Sequence, residues 1–169
     1  LYIGQRHLFV RFYGCSLRCN YCDTVYARVV GDSCIVRNET ERVIKNPLSA
    51  HQCAQFVNEL WTPSTRMLSL TGGEPLLYPD FILELSHLCN RPMYLETNGA
   101  HPDAAKVVSD VVDVVACDLK LPEHNAHPNY ETLFKLELES IRIFIEKGVE
   151  VFVKIAVPRE CRSIVDVVS

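Results

Sequence analysis

Short apolar runs of strand length alternate with longer amphipathic stretches along almost the whole chain, and this alternation restricts the fold more than any other feature. Residues 7–12 read as a first strand running into Gly14. Residues 50–61 read as a helix with Ser49 as its N-cap. Strands follow at 67–70, 93–96, 113–121 and 150–157, each stopped by glycine, proline or Asn98-Gly99. Helices fill the gaps at 80–89, 102–109 and 129–147, with Pro102 suited to a first turn. Strand–helix repetition of this kind implies an α/β fold: a mostly parallel sheet with helices packed against it. The apolar stretch 149–157 fits a strand buried on both faces. Residues 25–47 break the pattern and are expected to form an irregular insertion or small hairpin over the sheet. With no repeat, low-complexity tract or linker, residues 1–169 read as one domain.

Charge and hydropathy exclude some functions. A formal charge of −4 argues against a binder of phosphate backbones, which carries a basic stripe. No apolar run approaches the roughly 20 residues that cross a bilayer. Residues 1–5 lack the charged lead and apolar stretch of a signal peptide, so the expected compartment is the cytoplasm. Eight cysteines are many for such a chain, and in a reducing compartment thiols more often bind metal or do chemistry than form a disulfide scaffold.

Three of those cysteines lie within eight residues: Cys15, Cys19 and Cys22, spaced Cys-x3-Cys-x2-Cys on a loop after the first strand. Three soft thiolates on a tight loop suit a cubane iron–sulfur cluster and leave one iron without a protein ligand. Structural zinc is the competing reading. It needs a fourth ligand, and Cys34 and His7 lack paired spacing. Cys34, Cys53, Cys89, Cys117 and Cys161 are scattered and expected to be small core residues. In parallel α/β folds ligands gather at the carboxyl ends of strands. Cys15, residues 71–74, residues 97–99 and residues 118–120 all fall there.

The cysteine loop resembles the defining motif of the radical S-adenosylmethionine superfamily, and Thr71-Gly72-Gly73-Glu74-Pro75 resembles that superfamily's Gly-Gly-Glu-Pro turn. The resemblance implies a [4Fe–4S] cluster on Cys15, Cys19 and Cys22. S-adenosylmethionine would chelate the open iron and be cleaved reductively to a 5′-deoxyadenosyl radical. Cys22-Asp23-Thr24 further resembles the 7-carboxy-7-deazaguanine synthase family, as do Leu95-Glu96-Thr97-Asn98-Gly99 and Asp118-Leu119-Lys120. On that resemblance Tyr21, Cys22, Asp23, Gly73, Asp118, Leu119 and Lys120 bind S-adenosylmethionine. Thr24 holds Mg²⁺ through its hydroxyl, and Arg11 and Thr71 contact substrate. The fold implied is a partial (β/α)6-type radical SAM barrel. Lys154 either faces the same cavity or pairs with a surface carboxylate.

The implied reaction is ring contraction of 6-carboxy-5,6,7,8-tetrahydropterin to 7-carboxy-7-deazaguanine with loss of ammonia. The implied partners are that pterin and a reducing electron donor such as flavodoxin or ferredoxin. No nucleic acid or membrane is expected, and dimerisation stays open. A glycyl-radical activase and a non-catalytic metal-binding scaffold are the alternatives. The family carries a Gln-Gly-Glu-Gly stretch before its Tyr-x-Gly segment, here Tyr2-Ile3-Gly4, and continues beyond the last strand; on that pattern the chain reads as incomplete at both ends. The remaining histidines, His51, His87, His101, His124 and His127, read as solvent-facing or capping, and the acid-rich stretch 131–146 as a solvated helix face.

Overall fold

The computed structural model describes residues 2–159. Its centre is a five-stranded, wholly parallel sheet in the order β1-β4-β5-β6-β7. These strands are β1 (Arg6–Phe12), β4 (Thr65–Gly72), β5 (Met93–Thr97), β6 (Val114–Asp118) and β7 (Glu150–Lys154). Helices α1 (Ala50–Leu60), α2 (Pro79–Cys89), α3 (Pro102–Val108) and α4 (Tyr130–Glu146) connect them, each packing on the next. Parallel neighbours need such crossovers, which is why the chain alternates as it does. The expected α/β sheet of the partial barrel is therefore present.

Local chemistry sets the boundaries. Ser49 caps α1 with a reciprocal box: Ser49 Oγ accepts from the Gln52 amide at 3.2 Å, and Gln52 Oε1 accepts from the Ser49 amide at 3.0 Å. Asn129 caps α4 by accepting from the Thr132 amide at 3.0 Å. Pro79 and Pro102 open α2 and α3, where a missing N–H costs nothing. Leu68, Leu70, Met93, Leu95, Val115 and Cys117 face the helices and meet Val57, Ile82, Leu85, Val108 and Phe144 in the core.

The residues that alternate with these on the strands point to the sheet's other face. Towards the carboxyl ends they form a polar row: Arg11, Thr71, Glu96, Asp118 and Lys154, one from each strand.

One expectation is met and two change. Residues 25–47 contain a 3₁₀ turn (Val25–Arg28) and a true antiparallel hairpin, β2 (Ser33–Arg37) with β3 (Glu41–Lys45). The strand expected over 113–121 ends at Asp118, because Lys120 and Leu121 turn away to meet side chains of α4 and His124. Strand β7 is a sheet edge, with Val153 48% exposed, so it is not covered on both faces as its apolar sequence implies. Of the scattered cysteines, Cys53, Cys89 and Cys117 are buried and Cys34 half-buried, while Cys161 lies outside the described residues.

Leu95 is fully buried on the middle strand. Leu95→Ala should cost about 2–5 kcal/mol in denaturant unfolding, through lost transfer energy and a residual cavity. A loss below about 1 kcal/mol would place the core elsewhere.

Candidate active site

The carboxyl ends of the strands open onto a cavity of about 360 Å³. Its base is a seam between two backbone segments. The Gly73 amide donates to Phe12 O at 2.9 Å and the Glu74 amide to Gly14 O at 2.7 Å, while the Gly14 amide donates to Ala27 O at 2.7 Å. A Cβ on Gly73 would lie 1.9 Å from Gly14 O and 2.7 Å from Ala27 O, so no side chain fits there. This close approach holds the start of the cysteine loop against the end of β4.

All three loop cysteines line the cavity as free thiols. Five interactions dock the loop. Leu17 packs with Ala126 and Leu133, and the Arg18 and Asn20 amides donate to Ala126 O and His124 O. Arg28 Nη2 donates to Cys19 O. Asn98 Nδ2 reaches Cys15 Sγ at 3.8 Å. Burial raises the Cys19 thiol, with Lys120 the main opposing influence. Among the described residues no three His, Cys, Asp or Glu side chains converge on one point as a single ion requires. A tetrahedral zinc needs four donors around one centre, whereas a cubane spreads three thiolates over three irons. Three thiolates on one loop match the ligand number of such a cubane and are one short of a structural zinc.

Tyr21, Asp23, Thr24, Arg11, Thr71, Gly73, Asp118 and Lys120 line the same cavity. Leu119 does not; its side chain joins the core and its amide bonds to Lys154 O. Thr24 Oγ1 donates to Asp23 Oδ1 at 2.5 Å, which puts a hydroxyl and a carboxylate oxygen together on the rim. Oxygen donors of this kind suit Mg²⁺, an ion that keeps several of its own waters. Thr71 Oγ1 donates to Glu96 Oε2 at 3.2 Å.

Lys120 is the most constrained cation. Its side chain is 5% exposed, and Nζ donates to Asp118 Oδ2 at 2.7 Å and to Tyr21 Oη at 2.9 Å. Burial alone would lower its pKa, but the Asp118 carboxylate and these bonds hold it above the ordinary lysine range. Lys154 also reaches this group, 3.5 Å from Asp118 and 3.9 Å from Glu96, so it faces the cavity and pairs with carboxylates there.

Two buried carboxyls support the rim. Glu74 is fully buried: Oε1 accepts from the Leu76 amide and Thr97 Oγ1, and Oε2 from the Asn98 amide. Burial pushes it up to about 7 against the pull of those three donors. Glu137 of α4 is also fully buried and accepts from the Lys120 amide at 3.0 Å. It departs from the solvated face expected of that helix, because α4 turns this position onto the ends of β5 and β6. His124 corrects half of its expectation. It is buried and not solvent-facing, but it does cap its 3₁₀ turn: Nδ1 accepts from the Leu121 amide and Nε2 meets Ala156 O, so the ring is held neutral. Its ring also packs edge-on against Tyr21 at 4.5 Å.

Sequence reasoning left Arg28 and His124 out of the site. No motif or spacing marks Arg28; it lies in the insertion, where the period gave no guide. His124 follows Pro122 in a 3₁₀ turn whose fold brings it beneath Tyr21.

The profile described as the Radical SAM superfamily matches residues 9–160, and the chain belongs to that superfamily. Its relatives narrow the resemblance. It is 35% identical to the 7-carboxy-7-deazaguanine synthase of Methanothermobacter thermautotrophicus, covering 93% of this chain and 63% of the relative. The enzyme of that name from Archaeoglobus fulgidus is 35% identical over 93% of this chain and 65% of the relative. That from Methanopyrus kandleri is 34% identical over 95% and 66%. The chain therefore spans just under two thirds of the length of these curated relatives. No helix among the described residues is long and apolar enough to cross a membrane.

Burial raises Glu137 from its ordinary 4.5 to about 8, with Cys117, Asp118 and Lys120 the titratable groups facing it. Between those values the native state holds a proton that the unfolded chain has released, so stability falls as pH rises through that window and is flat outside it. Glu137→Gln cannot titrate. The stability of the parent relative to this variant should therefore fall by a few kcal/mol between about pH 5 and pH 8 in urea unfolding. A difference that stays constant with pH would show that Glu137 is ionised throughout.

Proposed function

We propose that the chain acts as a radical S-adenosylmethionine enzyme converting 6-carboxy-5,6,7,8-tetrahydropterin to 7-carboxy-7-deazaguanine with loss of ammonia. One observation carries this reading. The three loop cysteines share a cavity with Thr24, Arg11, Thr71, Gly73, Asp118 and Lys120, in a chain similar to enzymes named for that product. A [4Fe–4S] cluster on Cys15, Cys19 and Cys22, with S-adenosylmethionine, supplies one-electron cleavage and hydrogen abstraction.

The chain's own residues bind and orient. Gly73, pressed against Gly14 O with no room for a side chain, presents its backbone to the cofactor at the cavity wall. Tyr21, Cys22 and Asp23 on one side and Asp118 and Lys120 on the other bracket the cofactor, while Leu119 lies behind them in the core. Lys120 keeps its charge in a nearly dry position, so it fixes Asp118 and Tyr21 together without exchanging protons near neutral pH. Arg11 offers a planar fork to the substrate carboxylate, and Thr71, already aligned by Glu96, offers a hydroxyl. Thr24 supplies a hydroxyl oxygen for Mg²⁺, with substrate and water completing its shell. The electron would come from a reduced flavodoxin- or ferredoxin-type donor.

The test is anaerobic reconstitution with iron and sulfide, followed by dithionite, S-adenosylmethionine, Mg²⁺ and the carboxytetrahydropterin. Expected are 7-carboxy-7-deazaguanine from the parent and neither product nor 5′-deoxyadenosine from Cys19→Ala. Cleavage of S-adenosylmethionine with no deazaguanine, indifferent to Mg²⁺ and pterin, would favour a glycyl-radical activase. A colourless protein that binds zinc would remove the reading altogether. Within the same assay, Arg11→Lys keeps the charge and loses the fork, and should raise KM for the pterin roughly tenfold. An unchanged KM would take Arg11 out of substrate binding.

A further inference from the structure

Helix α4 touches three separate segments at or beside the cavity wall with one face. Leu133 packs against Leu17 of the cysteine loop. One turn on, Glu137 accepts from the Lys120 amide at 3.0 Å. Ser140 Oγ then donates to Gly99 O at 2.7 Å. The helix can sit this close only because residue 99 lacks a side chain. A Cβ there would lie 2.7 Å from Cys117 Sγ and 3.3 Å from the Glu137 Cα.

Glu137 is unusual on this face. It is fully buried, Oε2 takes the Lys120 amide, and Oε1 is buried with no hydrogen-bond partner among the described residues. An isolated buried carboxyl with a vacant oxygen is costly, and a leucine would suit the surroundings better. Folding alone gives no reason for a carboxyl here. What it does is grip one peptide group, and that group belongs to the residue whose Nζ joins Asp118 to Tyr21.

We propose that Glu137 is a positioning residue for the cofactor site, holding the Lys120 backbone so that Lys120 Nζ bridges Asp118 and Tyr21. It touches no ligand itself and acts through Lys120. The inference rests on reading the cavity as the S-adenosylmethionine site, but its first consequence, the order of the Lys120 peptide, does not depend on that reading. Burial favours the protonated form of Glu137 at neutral pH, and in either form Oε2 can accept from the amide.

The test compares Glu137→Leu with Glu137→Gln in the whole chain. Leucine keeps the bulk and removes the acceptor; glutamine keeps an acceptor oxygen. Amide hydrogen exchange by NMR on the apoprotein reads the Lys120 peptide directly. The Leu119 amide, bonded to Lys154 O, serves as the internal control. In Glu137→Leu the Lys120 amide should exchange at least about tenfold faster while Leu119 is unchanged, and Glu137→Gln should stay within about threefold of the parent. After anaerobic cluster reconstitution, the S-adenosylmethionine dissociation constant should rise about tenfold in Glu137→Leu and recover in Glu137→Gln. The thermal midpoint should move by only a few degrees, since removing the stranded oxygen offsets losing the bond.

Unchanged exchange at Lys120 in Glu137→Leu overturns the proposal. So does a Glu137→Gln variant as impaired as Glu137→Leu, or an affinity loss that only follows a collapse in midpoint. If Glu137→Leu does not fold, Glu137→Met provides the same comparison. A parent that orders Lys120 through Glu137 but binds no S-adenosylmethionine would sink the functional reading and leave the positioning intact.

Discussion

The whole site depends on two peptide segments lying in contact with nothing between them. Phe12 and Gly72 are the last paired residues of β1 and β4. Beyond them, the Gly73 and Glu74 amides go on donating to Phe12 O and Gly14 O. The two segments approach this closely only because residue 73 has no Cβ to meet Gly14 O and Ala27 O, and the positive φ of Gly14 turns the chain into the loop. Everything further out inherits its position from this seam. Cys15 leaves it on one side, and Glu74 leaves it on the other, reaching inward to take the Thr97 hydroxyl and the Asn98 amide. Asn98 then returns to Cys15 Sγ, so the loop and three strand ends form one closed circuit.

That circuit is built largely from buried polar groups, an expensive way to hold a wall. Lys120, Glu74 and Glu137 are each at most 4% exposed. Replacing such groups by apolar residues often leaves a fold no less stable, so their presence is weak evidence of a stabilising role. They are better understood as register devices. Each carboxyl receives named amides from the segment after a particular strand, and an apolar residue could fill the space without selecting that alignment. Stability comes instead from the layer beneath, where Leu68, Leu70, Leu95 and Val115 meet the helices.

Much of this was legible in the sequence. The strand–helix alternation is a direct reading of burial, since a parallel sheet flanked by helices needs apolar runs of strand length. The cysteine loop and Gly72-Gly73-Glu74 were legible because their chemistry demands particular residues at fixed spacing. The failures share a cause. His124 and Glu137 are polar residues buried by long-range packing, and solvation is the natural expectation for such types. Glu137 did leave a trace. It sits between Leu133 and Ile141 at steps of four, inside the apolar stripe of its helix, where a charged face should not intrude. Strand β7 misled for the opposite reason: its apolar sequence matches a two-sided burial that the described sheet edge does not provide.

The polar row across the sheet follows from the same logic. Reading along the strand order, it runs Arg11, Thr71, Glu96, Asp118, Lys154, with cations on the outer strands and carboxylates inside. Lys154 reaches both carboxylates and Lys120 neutralises Asp118 from the rim, so the inner charges are largely satisfied without a ligand. Arg11, exposed on the edge strand, appears in no ion pair among the described residues and is left to face incoming charge. A wall of this kind suits ligands whose own positive and negative groups are separated, because each finds an opposite charge without the site holding a large net potential. A polyphosphate would meet two carboxylates at the centre of the row. Arg11 is thus the cation of the row that, among the described residues, has no opposite charge beside it.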